Sequence, residues 1–192
     1  MINFDRAYAL HENPFTLESE RYEKEKFARL LSLIPQGRIE RAIDFGCGLG
    51  ETTLALSEIA LEVIAVDSSA EALRRLLAKI QHRPALQIRL RYARSDAPWP
   101  IRPDERASLI VASEVLYYLQ PRELETLLSC FESSLVTDGH FITCHYRPKF
   151  DDRIRSNREI HDSIVRRETM QLVSSHCSDR YDLLLWRRCT SN

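Results

Sequence analysis

Several features that mark other classes of protein are scarce in this sequence. Its 192 residues include only five glycines and five cysteines. The cysteines are odd in number and scattered, with no Cys-x-x-Cys pair and no Cys/His set at metal-ligand spacing, so neither a disulfide framework nor a metal site is expected. No uncharged apolar run approaches the length of a membrane span, and Met1 to Phe15 has no apolar core of an export signal. We therefore expect a cytoplasmic protein without a membrane partner.

An excess of charge of one sign is also lacking. Lysine and arginine number 27 against 28 aspartates and glutamates, which gives a formal net charge of -1. A chain with this balance has no general attraction to phosphate backbones, so no nucleic-acid partner is expected. Hydrophobic residues make up 44% of the chain, and the length suits one globular domain over residues 1–192, with residues 1–37 as a helical lead-in or cap.

Apolar periodicity predicts strands that alternate with helices. A helix over Glu18–Leu33 comes first, and the last two strands form an antiparallel hairpin that turns near Ser178. The strands are predicted at Arg41–Phe45, Glu62–Val66, Leu86–Tyr92, Ser108–Ser113, Phe141–Tyr146, Met170–Ser174 and Tyr181–Trp186, and the remaining helices at Thr52–Ala60, Ala70–Ile80 and Arg122–Leu135. The alternating polar residues of the third strand place it toward a sheet edge. This order predicts an α/β fold with a mostly parallel sheet.

Three of the five glycines stand together at the junction of the first strand and its helix, in Gly46-Cys47-Gly48-Leu49-Gly50. Glycines at such a junction let the backbone turn tightly, approach a ligand and direct the amides of the helix start at it. Glu51 stands where a dinucleotide fingerprint needs its third glycine, which disfavours a pyrophosphate. We expect Gly46, Cys47, Gly48 and Gly50 to bind a cofactor.

Acidic residues follow three consecutive strands of the predicted sheet. Asp67 ends the second strand, where a carboxylate accepts hydrogen bonds from ribose hydroxyls, and Asp96 follows the third. Asp44 precedes the first glycine, where a carboxylate repels a phosphate and attracts a sulfonium or an ammonium. Ser68 and Ser113 lie at the same edge and complete the predicted cofactor-binding set. A tight turn and helix caps explain each residue singly, whereas the combination favours a cofactor site.

These residues carry a family resemblance. Asp44 to Gly50, the acid Asp67 and Ser95-Asp96 resemble class I methyltransferases that use S-adenosylmethionine (SAM), and the resemblance covers nearly the whole chain. It implies a Rossmann-like, seven-stranded, mostly parallel sheet with a C-terminal antiparallel hairpin and helices on both faces. It also implies SAM as cofactor and S-adenosylhomocysteine (SAH) as product.

A narrower resemblance points to the NodS-like branch, which comprises rhizobial N-methyltransferases of the glucosamine amine in chitooligosaccharide signals. It rests on Tyr22-Glu23 with the lysines that follow, on Ser113 to Leu119 and on His145-Tyr146-Arg147. Leu49 departs from the usual threonine of the glycine loop. Tyr22 of the first helix either reaches over the cofactor or packs beside it. The resemblance implies that the acceptor is a small polar molecule, with an amino sugar of an oligosaccharide as the specific expectation.

Three residues are candidates for the acceptor side of the reaction. Glu114 follows the fourth strand and is expected to orient the acceptor or to take its proton; a cap of the following turn or helix is the alternative. His145 ends the fifth strand and is either a base near neutral pH or a hydrogen-bonded structural residue, and Arg147 points to the same side. The basic segment from Arg147 to Arg167 is either a solvated face or a lid.

Other functions are compatible with the same pattern. They are O- or N-methylation of another small metabolite, an NAD-linked oxidoreductase on a similar sheet, and a binding module without turnover. Asp44 and the missing third glycine argue against NAD, and the segment after the fourth strand lacks the Asn/Asp-Pro-Pro-Tyr motif of enzymes that methylate planar nitrogen. The sequence does not indicate an oligomeric state.

Overall fold

The computed structural model describes residues 2–15, 20–93 and 98–190 of the chain. The strands are β1 Ile39–Phe45, β2 Ala60–Asp67, β3 Ile88–Tyr92, β4 Ala107–Ser113, β5 Leu135–Tyr146, β6 Met170–Cys177 and β7 Tyr181–Arg188. The helices are α1 Phe4–Leu10, α2 Glu20–Ser32, α3 Glu51–Ser57, α4 Ala70–Ile80, α5 Pro121–Ser134 and α6 Asn157–Val165, with a 3₁₀ turn at Leu116–Tyr118.

The strands of these ranges form one seven-stranded sheet in the order β3-β2-β1-β4-β5-β7-β6. Strands β1 to β5 run parallel, and β7 is antiparallel to both β5 and β6. The predicted mostly parallel sheet, its C-terminal hairpin and the edge position of β3 are therefore confirmed. The chain moves outward from β1 to β3 and then returns to place β4 on the other side of β1, so a crevice opens at the carboxyl ends of β1 and β4.

Helices cover both faces of the sheet, and alternate residues of each strand divide the core between them. Phe131 of α5 and Ile164 of α6 pack with Trp186 on one face. Leu30 of α2 and Leu56 of α3 pack against the other face. In the described ranges, no helix combines the length and the apolar character that a membrane crossing needs.

Three of the differences between the element boundaries and the expectation concern α1, α3 and β5. Helix α1 was not predicted; Asn3 caps it, because its Oδ1 accepts a hydrogen bond from the Arg6 amide at 3.0 Å. Helix α3 ends at Ser57 because β2 already begins at Ala60. Strand β5 begins earlier than predicted, at Leu135. Its pairing with β4 shifts register there, so the turn predicted at Gly139 lies within β5 as an irregularity.

Candidate active site

A cavity at the carboxyl edge of the sheet brings together residues that are distant in sequence. Its volume is about 610 Å³, and its lining includes the ends of β1 and β4. The residues of the predicted site that line it are Gly46, Asp67, Ser68, Ser113 and Glu114. Four of the cofactor candidates and the first acceptor candidate, Glu114, therefore line the same cavity.

The glycine loop between β1 and α3 needs glycine for both conformation and space. The backbone φ is +72° at Gly46 and +85° at Gly50, in the left-handed region. A Cβ at Gly46 would lie 2.7 Å from the Cβ of Val115, and one at Gly50 would meet the Leu76 side chain. The Gly46 amide donates to the Val66 carbonyl at 2.8 Å, which ties the loop to β2. The loop thus presents bare backbone to the cavity.

Asp67 lies where β2 ends and links the loop to the next helix. Its Oδ2 accepts a hydrogen bond from the Gly48 amide and its Oδ1 one from the Ser69 amide, both at 2.8 Å. Burial is the largest influence on this carboxyl and raises its pKa, although the backbone hydrogen bonds oppose it. A carboxylate accepts about four hydrogen bonds. Asp67 therefore keeps capacity for a ligand hydroxyl on its cavity side.

Asp44 supports the loop from beneath and does not line the cavity, so its predicted contact with the cofactor stays a prediction. Its side chain is buried, and its Oδ2 accepts a hydrogen bond from Thr53 Oγ1 at 2.6 Å. Burial raises the pKa of Asp44 to about 7. Cys47, Gly48 and Gly50 belong to the loop but do not contribute to the cavity lining either, and burial raises the pKa of the Cys47 thiol. Asp44, Cys47, Gly48 and Gly50 therefore shape the loop, and Gly46 is the loop residue that lines the cavity.

Glu114 has an unusual backbone, and both oxygens of its carboxylate accept hydrogen bonds. Its φ is +56°, a left-handed value that is uncommon outside glycine and that sends the chain from β4 into the 3₁₀ turn. Oε1 accepts a hydrogen bond from Lys26 Nζ at 2.7 Å. Oε2 accepts bonds from the Tyr117 hydroxyl at 2.9 Å and the Tyr146 amide at 2.8 Å. The carboxylate is thus held in one orientation at the cavity wall.

The structure places His145 as a hydrogen-bonded structural residue, the second of the two roles that the sequence left open. The ring is buried, and Nε2 accepts a hydrogen bond from the Leu116 amide at 3.2 Å. Burial lowers the pKa of His145 to about 3, and the charges of Arg153 and Lys26 add to this effect. The imidazole packs edge-on against Tyr117, with ring centroids 5.4 Å apart. Its lone pair is committed to the backbone, so His145 anchors the 3₁₀ turn.

Arg147 also has a structural position and does not contribute to the cavity lining. Its Nη1 donates to the Ser178 carbonyl at 2.6 Å, and its amide donates to the Arg180 carbonyl at 2.8 Å. These bonds join the end of β5 to the hairpin of β6 and β7. The proposed catalytic role is corrected accordingly, because the guanidinium faces the hairpin turn.

The remaining segment to Arg167 packs on the 3₁₀ turn. The amides of Ile154 and Arg155 donate to the Tyr117 carbonyl at 3.0 and 3.1 Å. The Arg153 guanidinium lies over the Tyr117 ring, 5.2 Å from its centroid, and donates to the Tyr146 carbonyl. The segment buttresses Glu114 from outside and contributes no residue to the cavity lining.

Tyr22 and Asp96 stand differently from the other cofactor candidates. The Tyr22 ring packs against Tyr146 and Tyr181 at centroid distances of 6.4 and 6.0 Å, in the core under α2, and does not reach over the cavity. Its predicted cofactor contact is corrected in this way. Asp96 lies outside the described residues, and Ala93, just before it, lines the cavity.

Sequence reasoning missed the part of the cavity wall that comes from the N-terminus. Phe4 and Tyr8 of α1 and Phe15 line the cavity together with Tyr118. Phe4 and Tyr118 contact edge to face, with ring centroids 5.3 Å apart. The i, i+4 spacing of Phe4 and Tyr8 was the available signal, but a helix of seven residues gives little periodicity to detect.

The comparisons with known proteins define the class. A family model described as a methyltransferase domain matches residues 42–139, about half of the chain. The chain belongs to this family, and the domain is a SAM-dependent methyltransferase domain. This finding removes the NAD-linked alternative.

Two curated proteins are among those similar to the chain. Nodulation protein S of Sinorhizobium fredii is 26% identical over 133 residues, which are 68% of this chain and 59% of that protein. Phosphoethanolamine N-methyltransferase 3 of Arabidopsis thaliana is 25% identical over 179 residues, 83% of this chain and 36% of that protein. The chain therefore spans less than two thirds of the length of these curated relatives.

Solved structures share the fold. The N-methyltransferase NodS from Bradyrhizobium japonicum in complex with SAH superposes with a TM-score of 0.80, 20% identity and coverage of 96% of each chain. A SAM-dependent methyltransferase from Mesorhizobium loti has a TM-score of 0.66 and 18% identity, with coverage of 85% of this chain and 97% of that one.

The residues of the cavity fit SAM, the cofactor of the family. Asp67 supplies a carboxylate for ribose hydroxyls, and Gly46 supplies backbone without a Cβ. Phe45, Trp99 and Val115 supply apolar wall for an adenine ring. When bound, SAM supplies an electrophilic methyl group on a sulfonium.

Proposed function

We propose that the chain methylates the nitrogen of a small molecule with a primary amine, and that the amine belongs to an amino sugar of a chitooligosaccharide-type acceptor. The observation that carries the proposal is the Glu114 carboxylate, which lines the same cavity as Asp67 and Gly46. An amine must lose a proton in the course of methylation, and a fixed carboxylate within reach accepts or orients that proton.

The charges of the cavity wall support an amine over an anionic acceptor. Asp67, Glu114 and Glu123 supply carboxylates to the lining, and Arg122 supplies the one guanidinium among the lining residues that the structure describes. An ammonium is attracted to such a wall, whereas a carboxylate or phosphate is repelled. The similarity to proteins named nodulation protein S and phosphoethanolamine N-methyltransferase supports nitrogen as the methylated atom.

The aromatic residues over the cavity support a site that excludes water from the reacting atoms. Phe4, Phe15 and Tyr118 form a continuous set of ring contacts, with centroids 5.3 to 6.4 Å apart. Sugar rings and aliphatic amines both present C–H surface that packs on such rings. Exclusion of water also strengthens the interaction of an ammonium with Glu114.

The test is a methylation assay with SAM and a matched set of acceptors, read by mass spectrometry. Glucosamine oligomers with a free amine are compared with fully N-acetylated oligomers of the same length, and ethanolamine and phosphoethanolamine are added as small amines. We expect transfer to the free-amine oligomer and none to its acetylated counterpart. Transfer to ethanolamine alone would mean that the acceptor is another small amine and not an amino sugar. Transfer to hydroxyl acceptors alone would overturn N-methylation.

The role of Glu114 is tested in the same assay with Glu114→Gln. This variant keeps the shape of the side chain and removes its charge, so SAH binding is expected to persist while turnover falls by about a hundredfold or more. Glu40→Gln, an exposed carboxylate in β1, serves as the control. Loss of SAH binding with normal turnover per bound cofactor would contradict the assignment.

A further inference from the structure

A buried lysine lies behind the acceptor carboxylate. Lys26 of α2 is 6% exposed, and its ammonium donates to Glu114 Oε1 at 2.7 Å and to Glu23 Oε2 at 2.8 Å. An ammonium is expensive to bury unless it is paired and hydrogen-bonded. Burial disfavours the charged form of Lys26, but the two carboxylates outweigh burial and raise its pKa. Lys26 therefore stays charged throughout the physiological range.

The hydrogen bonds of Glu114 leave little freedom for its carboxylate. Lys26 occupies one position on Oε1, while the Tyr117 hydroxyl and the Tyr146 amide occupy Oε2. A carboxylate accepts about four hydrogen bonds, so three of these positions are filled by the protein. The fourth position, on Oε1, remains for the cavity that Glu114 lines.

The backbone adds a second independent observation. Glu114 is one of two non-glycine residues with a left-handed φ among the described residues, and the other, Asp138, lies in the irregular part of β5. A left-handed φ in a residue with a Cβ costs roughly 1 kcal/mol or more and persists only where its surroundings impose it. The Glu114 amide donates to the Cys144 carbonyl at 2.8 Å, which fixes that conformation. Both the main chain and the side chain of Glu114 are thus constrained.

We infer that Lys26 is a positioning residue that holds the Glu114 carboxylate in its orientation toward the acceptor amine. This inference rests on the proposed function and deepens it. The group formed by Glu23, Lys26 and Glu114 carries two negative charges and one positive charge, and its net negative charge complements an ammonium. Lys26 acts through Glu114, because it does not line the cavity itself.

Other titratable groups face Glu114 and set the background of the test. From the 3₁₀ turn these are Tyr117 and Tyr118, from β5 Cys144, and from the segment before α6 Arg153. Burial raises the pKa of both tyrosines and of the thiol, so these three groups stay neutral at acid and neutral pH. Arg153 stays charged.

The experiment uses sinefungin, a SAM analogue with an amine in place of the sulfonium methyl, and needs no acceptor. The dissociation constants of SAH and sinefungin are measured by calorimetry at neutral pH for the wild type and Lys26→Met. The ratio of the SAH constant to the sinefungin constant cancels the contacts that both ligands make. In the wild type, we expect the fixed Glu114 carboxylate to make this ratio greater than one.

In Lys26→Met we expect this ratio to fall by about fivefold or more, because Glu114 loses the hydrogen bond that fixes Oε1. Lys26→Arg keeps a charged donor and is expected to restore the ratio in large part. Lys24→Met, the same substitution at an exposed site on the same helix, is expected to change nothing.

Identical ratios in the wild type and Lys26→Met, or a higher ratio in the variant, overturn the positioning role, whatever acceptor is methylated. A lowered ratio together with no methylation of any amine overturns the proposed function and keeps the positioning role. If Lys26→Met does not fold, Lys26→Gln decides, because it also removes the ammonium but keeps a polar group. A lowered ratio in that variant supports the inference, and an unchanged ratio overturns it.

Discussion

The Asp5 carboxylate accepts a hydrogen bond from Ser69 Oγ at 2.7 Å, which links two residues that are 64 positions apart. Asp5 Oδ1 also accepts a bond from the Glu71 amide at 3.1 Å, at the start of α4. Ser69 follows the cofactor candidate Asp67 by two residues. Helix α1 is therefore fastened beside the cavity, and its Phe4 and Tyr8 become part of the wall.

Loss of the hydrogen bond between Ser69 and Asp5 is expected to weaken the binding of the cofactor. Asp5→Ala leaves the start of α4 without its charged acceptor, and the docking of α1 loses about 1.5 kcal/mol or more. We expect the dissociation constant of SAH to rise by about tenfold, mostly through faster dissociation. Stopped-flow release of SAH measures the rate. Arg6→Ala, on the exposed side of the same helix, is the control, and equal rates in both variants would contradict the role of α1.

The cofactor contact of Asp67 is expected to be decisive. Asp67→Ala removes the carboxylate that faces the cavity, and SAH binding is expected to weaken by about a hundredfold. Because Asp67 also accepts the amides of Gly48 and Ser69, the melting temperature is recorded alongside affinity. Asp67→Asn keeps an acceptor and separates the two effects. Unchanged affinity in a folded Asp67→Ala protein would remove Asp67 from the cofactor site.

Gly46→Ala tests whether the loop needs glycine for space as well as for conformation. The new Cβ would come within 2.7 Å of Val115 and would adopt a left-handed φ, so the free energy of unfolding is expected to fall by about 1–3 kcal/mol. Gly37→Ala is the matched comparison, because Gly37 also has a positive φ but no atom within 4 Å of its added Cβ. Urea denaturation measures both, and an equal loss would show that the Val115 contact relaxes at no cost.

Asp44 is expected to lower the free energy of unfolding as the pH rises, whereas a paired carboxylate raises it. Its pKa is about 7 in the folded protein against 3.8 for the free side chain, so the folded state binds the proton more tightly. This contribution is complete below about pH 4 and is lost as the pH rises through 7. Asp44→Asn is expected to remove that decline in urea denaturation. A decline that persists in the variant would assign it to another group.

His145 is expected to act on stability at acid pH and not on turnover. Its pKa of about 3 in the folded protein lies below the ordinary 6.5, so the unfolded chain binds the proton more tightly. Its contribution is complete above pH 6.5 and falls as the pH drops toward 3. In His145→Gln the amide oxygen still accepts the Leu116 amide, and we expect turnover per folded molecule to be retained. Abolished turnover in a stable variant would restore His145 as a base.

The fold and the cofactor loop were predictable because their signals are local. The glycines of Gly46–Gly50 must lie between a strand and a helix, and the apolar runs around them are long enough to define both elements. The position of Asp67 at the cavity was predictable because it ends a strand whose neighbour carries the loop, and parallel strands bring their carboxyl ends to one edge.

The sequence by itself therefore determined the α/β sheet, the glycine loop and the SAM-dependent class. Only the tertiary structure decided which acids and bases reach the cavity. His145 and Glu114 both end strands, yet His145 turns into the core and bonds to a backbone amide, while Glu114 faces the cavity. Lys26 lies 88 positions from Glu114, and no local pattern links them. Burial and partner choice depend on how α2 packs on the sheet, and that packing sums many weak contacts from distant parts of the chain.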